Sequence, residues 1–177
     1  RQMCIRDSYE SIMERLQTKG VRIVVDATKD LLLNVLKYHP FLIKPNNYEL
    51  GEIFGVTLST KEDVILYAKK LQEMGAANVL VSMAGDGAVL VAEDGSTYKS
   101  EAPEGKVKNS VGAGDSMVAG FLYGYLKSGI YEDAFYYGVC TGSASAFSEN
   151  LATREEVDTL LRNIKTVSYT HLTLPTT

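Results

Sequence analysis

Asn109-Ser-Val-Gly-Ala-Gly-Asp-Ser-Met-Val-Ala-Gly-Phe121 joins a polar segment to a strongly periodic apolar one, and its reading decides the fold. Gly112 and Gly114 flank a small residue, so the backbone turns tightly and its N–H groups stay unobstructed. Where such a turn opens a helix, those N–H groups and the positive end of the dipole attract an anion. Asp115 falls in the first turn, where the same dipole holds a carboxylate ionised. A carboxylate beside an anion hole suits one chemistry in particular. It takes a proton from a hydroxyl while the N–H groups stabilise a phosphoryl group in transfer. The plainer alternative is that Asp115 only caps a helix and the glycines only make a loop.

Working outward, Asp115 to Lys127, Tyr131 to Ser148 and Thr153 to Ile164 carry helical apolar periodicity. Upstream, Asn78 to Ser82 and Ala88 to Ala92 are strands joined by the turn Gly85-Asp-Gly87, and Asp94-Gly95 signals a hairpin into Thr97 to Ser100. Ser59 or Thr60 caps a helix that has Glu62 and Asp63 in its first turn, reaches Met74 and is closed by Gly75. Asn47 to Phe54 is a short helix before Gly55. Phe41 to Lys44 is a short strand between Pro40 and Pro45. Tyr9 to Lys19 and Asp30 to Tyr38 are helices, and between them the β-branched run Val21 to Val25, ending in Asp26, reads as a buried strand. Strands alternating with helices predict an α/β fold: a mostly parallel sheet with helices on both faces.

The bulk composition narrows the function. The chain has 177 residues, 45% hydrophobic and 23% charged, the balance of a soluble globular domain rather than a disordered or membrane protein. Its apolar runs are strand-length, far short of a membrane span. Eighteen basic residues against 22 acidic give a net charge of −4 with no basic stripe, which argues against nucleic acid as a partner. Any phosphate site is therefore local. Cys4 and Cys140 make neither a disulfide framework nor metal-ligand spacing, and Cys140 reads as a buried core residue. No cleavable signal sequence is seen, so the cytoplasm is the expected compartment.

Competing glycine motifs fit poorly. There is no Gly-x-x-x-x-Gly-Lys-Ser/Thr run and no Gly-x-Ser-x-Gly elbow. A dinucleotide fingerprint needs Gly or Ala where Met117 stands, and belongs on the first strand rather than late in the chain.

Three ordered stretches resemble the ribokinase-like, or phosphofructokinase B, carbohydrate kinases: Lys44-Pro-Asn46 followed by Glu49, Ser82-Met-Ala-Gly-Asp-Gly87, and Asn109 to Phe121. The resemblance runs from about Tyr9 to Ile164. It implies a ribokinase-like domain over 9–165 that uses ATP and Mg²⁺. Its acceptor would be a sugar phosphate, first fructose 1-phosphate going to fructose 1,6-bisphosphate, with tagatose 6-phosphate or another sugar as the alternative. A nucleotide-binding, non-catalytic domain is a third reading. The resemblance makes Asp115 the general base and the N–H groups of Gly112, Ala113 and Gly114 the anion hole. Asn46 and Glu49 organise the magnesium through water, and Lys44 reaches a phosphate. Ser82, Met83, Ala84, Gly85, Asp86 and Gly87 border the nucleotide, with Gly114 beside it.

Cys140 to Ser148 flanks the adenine, with Asn150 near the base; the alternative for this small-residue stretch is close helix packing. Likewise Glu49 alone reads as a surface helix residue, Lys44 as a strand-end lysine snorkelling to water, and Ser82 to Gly87 as a simple two-strand turn. Ala84 stands where the family commonly has glycine, and is strained if that position needs φ > 0.

The N-terminal part and the β-sheet lid that grip the sugar and dimerise in relatives have no counterpart here. The expectation is a truncated chain, inactive alone, from a protein that is a homodimer at full length. Residues 1–8 and 166–177 lack periodicity or turn chemistry and read as non-native or frayed ends.

Overall fold

Val79, Leu80, Val81, Val89 and Leu90 are wholly buried, and the fold is organised around the two strands that carry them. The computed structural model describes residues 5–27 and 29–171. In chain order the elements are α1 (Ile5–Gln17), β1 (Val24–Val25), α2 (Lys29–Leu36), β2 (Leu42–Ile43), α3 (Asn47–Phe54), α4 (Lys61–Glu73), β3 (Asn78–Ser82), a 3-10 turn (Ala84–Asp86), β4 (Ala88–Val91), β5 (Thr97–Ser100), α5 (Ala113–Ser128), α6 (Tyr131–Phe147) and α7 (Arg154–His171). Two compact units divide the chain after Lys99.

The first unit holds a five-stranded sheet in the order β1-β2-β3-β4-β5. β1, β2 and β3 run parallel, with Val24 opposite Leu42 and Ile43 opposite Val79. β4 then pairs antiparallel with β3, Val79 opposite Val91 and Ser82 opposite Ala88. Too few residues separate β3 from β4 for a parallel crossover, so the reversal is obligatory. The sheet is α/β and mixed, parallel on one side and a meander on the other.

Side chains alternate across it. Ile43, Val79, Val81, Val89 and Val91 join a core with Met13, Leu32, Val35, Leu50, Val64 and Leu71 from the four helices of this unit. Leu42, Leu80, Ala88 and Leu90 face the other way and are equally buried. Burial on both faces explains why β3 and β4 read as continuous apolar runs. Buried Asn78 is satisfied on both sides: its Nδ2 donates to Phe41 O at 2.8 Å and its Oδ1 accepts from Glu93 N at 3.0 Å.

Two strands are shorter than expected. Val21 is half exposed and only Val24–Val25 pairs, while Phe41 and Leu42 both direct their N–H groups to Ile23 O instead of forming a regular ladder. Pro40 and Pro45 bracket β2 and lack the donors a longer strand needs. Pairing resumes beyond Pro45, whose carbonyl accepts Ser82 N at 3.2 Å, and Asn46 bridges Ser82. Thr60, rather than Ser59, caps α4 in a capping box with Asp63.

The second unit is helical. Gly129, at φ 71°, reverses the chain between α5 and α6. The two helices meet through small residues: a Cβ on Gly120 would stand 2.5 Å from Tyr137 O and against Thr141 Oγ1. Cys140, Ala144 and Val157 form a second core with Leu160, Leu161 and Ile164. α7 passes the expected end at Ile164 because no glycine or proline interrupts it. α1 likewise starts at Ile5 rather than Tyr9. The remainder of the two ends, 1–4 and 172–177, lies outside the described residues.

Candidate active site

The carboxyl ends of β1, β2 and β3 carry Asp26, Lys44, Asn46 and Ser82. In open α/β sheets this edge is where ligands bind. Lys44 is largely buried, at 8% exposed, with Nζ 3.4 Å from Asp26 Oδ2. Asn46 caps α3 with extended backbone, φ −87° and ψ 170°. Its Oδ1 accepts from Glu49 N at 2.8 Å, and Glu49 Oε2 accepts from Asn46 N at 2.9 Å. This capping box accounts for the Asn-x-x-Glu spacing on structural grounds alone. It corrects the view of Glu49 as an ordinary surface residue, and it uses Oε2 but not Oε1. Gly55 ends the helix at φ 66°.

The turn from Ser82 to Gly87 is closed by its own backbone: Met83 N donates to Gly87 O at 2.8 Å and Gly87 N to Ala84 O at 3.1 Å. Ala84, Gly85 and Asp86 are exposed at its tip, whereas the Met83 side chain is buried in the first unit's core and leaves only its backbone to a ligand. Ala84 has φ 48°, so the residue that departs from the family pattern sits where a glycine is unstrained.

In the second unit Asn109 Oδ1 accepts from Val111 N at 3.0 Å, starting a turn that Ala113 N closes on Ser110 O at 3.2 Å. Gly112 occupies the third position of that turn at φ 78°, ψ −1°, which requires φ > 0. Gly112 is therefore the N-cap of α5, and Asp115 is its third residue rather than its cap. Among the described residues the Asp115 carboxylate, exposed, has no hydrogen-bond or ion-pair partner, and the N–H groups of Gly112, Gly114 and Asp115 have no acceptor. Ala113 is the one member of the expected anion hole whose N–H is already engaged.

Lys108 N and Asn109 N both donate to Ala146 O, tying this loop to the last turn of α6. Leu151 approaches Gly112, so the loop carrying exposed Asn150 lies beside the glycine turn. The small residues of 140–148 largely serve packing: Cys140 is fully buried, and a Cβ on Gly142 would stand 3.0 Å from Ala113 O. A cleft of about 560 Å³ between α6 and α7 is lined by Ala144, Phe147 and Ser148 of the stretch expected beside the adenine but by no other predicted residue, and its Glu155 and Glu156 disfavour a polyphosphate.

Among the described residues no three metal-ligating side chains cluster. Mg²⁺ does not need such a cluster, since one or two carboxylates and several waters suffice. The half-buried Glu49, with Oε1 outside the cap, fits that donor set. Sequence reasoning missed two contributors. Asp26 was read only as a strand end, and Gly142, against the first turn of α5, only as part of a small-residue stretch.

The crystal structure of a phosphofructokinase candidate from Staphylococcus aureus superposes with a TM-score of 0.85 at 40% identity, over 92% of this chain and 52% of that one. The class is therefore an α/β protein of ribokinase-like fold. The pfkB family carbohydrate kinases match residues 4–158, and the chain belongs to that family. The 1-phosphofructokinase of Bacillus subtilis is 49% identical over 159 residues, covering 90% of this chain and 52% of the relative. The D-tagatose-1-phosphate kinase of Bacillus licheniformis is 34% identical over 167 residues, 94% of this chain and 54% of the relative. The chain thus spans about half the length of the curated relatives it matches. No helix among the described residues is long and apolar enough to cross a membrane.

Proposed function

We propose that the chain supplies the nucleotide side and the general base of an ATP-dependent sugar-phosphate kinase, with fructose 1-phosphate as acceptor and fructose 1,6-bisphosphate as product. The observation that carries this reading is Asp115, in the first turn of α5 beside three N–H groups without acceptors, while Gly112 fills the capping role. Asp115 takes the proton of the sugar 6-hydroxyl as that oxygen bonds to the γ-phosphorus. The bond from phosphorus to the bridging oxygen breaks, and ADP leaves with its electron pair. The N–H groups of Gly112 and Gly114 offset charge on the phosphoryl oxygens in flight. Ala113 adds a third donor only if its bond to Ser110 opens.

Glu49 Oε1, through water and together with Asn46, would hold magnesium, which when bound neutralises phosphate charge. Lys44 offers its ammonium to a phosphate, the exposed turn at 84–86 borders the nucleotide, and Asn150 stands near the base.

The acceptor assignment rests on the similarity to the B. subtilis 1-phosphofructokinase. The likeness to the B. licheniformis tagatose-phosphate kinase supports a second reading with the same chemistry and another sugar. A non-catalytic nucleotide-binding role fits less well, since Asp115, Gly112, Gly114, Asn46 and Glu49 are all intact.

Asp115→Ala, made in a polypeptide of the relatives' full length, tests the base. kcat should fall by about 10²- to 10⁴-fold, while ATP affinity, measured by calorimetry, stays nearly unchanged. Turnover that survives largely intact would remove Asp115 from the mechanism.

A further inference from the structure

Lys44 is unusual among the lysines whose burial is described in being buried. Its side chain is 9% exposed and sits at the carboxyl edge of β2, between the end of β1 and the bridge from Asn46 to Ser82. An ammonium has three donors and is costly to bury without compensation. Among the described residues its only charged partner is Asp26, at 3.4 Å, and no hydrogen bond occupies the remaining donors. Asp26 itself is 40% exposed at the end of β1 and contacts no other cation among the described residues. The parallel register that sets Val25 opposite Ile43 puts both residues one step past their strands, on the same edge of the sheet.

Two features make this more than a chance surface pair. The lysine stem is buried, which leaves its ammonium little room to move, and it has no polar anchor other than Asp26 among the described residues. Without the carboxylate, nothing here fixes where the ammonium points.

We propose that Asp26 is a positioning residue: it holds the Lys44 ammonium at the carboxyl edge of the sheet, with its remaining donors presented to an anionic group of the nucleotide. This rests on the nucleotide reading above and adds a residue to it. Asp26 touches Lys44, not the ligand, and all of its effect on binding passes through Lys44.

A double-mutant cycle read as MgATP affinity by titration calorimetry tests this, with thermal unfolding as the control for folding. Asp26→Asn keeps the shape and removes the charge, and it should weaken MgATP binding by about tenfold, as loss of one charge-assisted contact predicts. Asp26→Glu should restore part of that loss. In a Lys44→Met background, Asp26→Asn should change affinity less than about twofold, because the group it positions is gone. A purely structural aspartate would lower the unfolding temperature equally in both backgrounds and show no such coupling. The proposal is overturned if the two substitutions are additive, or if Asp26→Asn tightens MgATP binding, which would make Asp26 a competitor for the site. If the unsubstituted protein unfolds cooperatively yet binds no MgATP, the nucleotide reading falls first and this proposal with it.

Discussion

Gly120→Ala tests whether α5 and α6 really cross at a point where only hydrogen fits. A Cβ at Gly120 would lie 2.5 Å from the Tyr137 carbonyl oxygen and press on Thr141 Oγ1. An ordinary carbon–oxygen contact is about 3.3 Å, so the methyl group falls short by roughly 0.8 Å. Tyr137 O is backbone in the middle of α6 and already accepts from Thr141 Oγ1 at 2.7 Å. It cannot rotate away, so the helices must part. Because the obstacle is backbone, the overpacking falls in the upper part of its usual range, about 2–3 kcal/mol, and exchanging glycine for alanine in a helix interior returns about 1 kcal/mol. The net expectation is a loss of about 1–2 kcal/mol, or a drop of roughly 2–8 °C in the unfolding midpoint for a chain of this size. Thermal unfolding followed by far-ultraviolet circular dichroism measures it, with urea unfolding to check that cooperativity is kept. An unchanged or raised midpoint would refute the close crossing, because the helix-propensity gain would then stand unopposed.

Other expectations follow from single residues. Ala84→Gly relieves a left-handed alanine worth about 1–2 kcal/mol and gives back about 0.4–1 kcal/mol of chain entropy, so stability should rise by roughly 0.5–1 kcal/mol; a fall in the urea midpoint would contradict the φ of 48°. Glu156 accepts hydrogen bonds from Thr153 N, Thr153 Oγ1 and Ser148 Oγ, and these, the Thr153 backbone first, lower its pKa below 4.5. A carboxylate depressed in the folded state adds stability that is whole above its unfolded pKa and is lost as pH falls through the folded one. Glu156→Gln should therefore lower the unfolding temperature at pH 7 and cease to matter in acid, once pH lies below the depressed value; equal destabilisation at both pH values would speak against the linkage.

Most of the helices were legible because their ends carry side-chain or glycine signals. α3 is bounded by Asn46 and Gly55, and both cap as their residue types require. β3 was legible because burial on both faces leaves a continuous apolar run. β1 and β2 were legible as strands but not in length, since a two-residue pairing depends on partners distant in sequence and on the prolines beside them. At the candidate site, the glycine turn could be read from composition alone, because φ > 0 at Gly112 is a local demand. The Asp26–Lys44 pair could not: eighteen positions separate the two residues, and only the parallel register of β1 and β2 brings them within 3.4 Å. Nor does any spacing rule reveal that Ala113 N would be spent on Ser110.

The short link from β3 to β4 also bears on the cost of forming the sheet. β3, β4 and β5 follow one another with turns of a few residues, so their pairing closes small loops and costs little chain entropy. Hairpins of this kind form in about 1–10 μs. Each parallel pairing on the other side, β1 with β2 and β2 with β3, spans intervening helices and brings only two residues of ladder. By loop-closure entropy the meander is thus the cheapest part of the sheet to form, and the parallel pairings of β1 and β2 cost more. Lys44 and Asp26, one step past the strands of that costlier edge, meet only where β1 and β2 have paired.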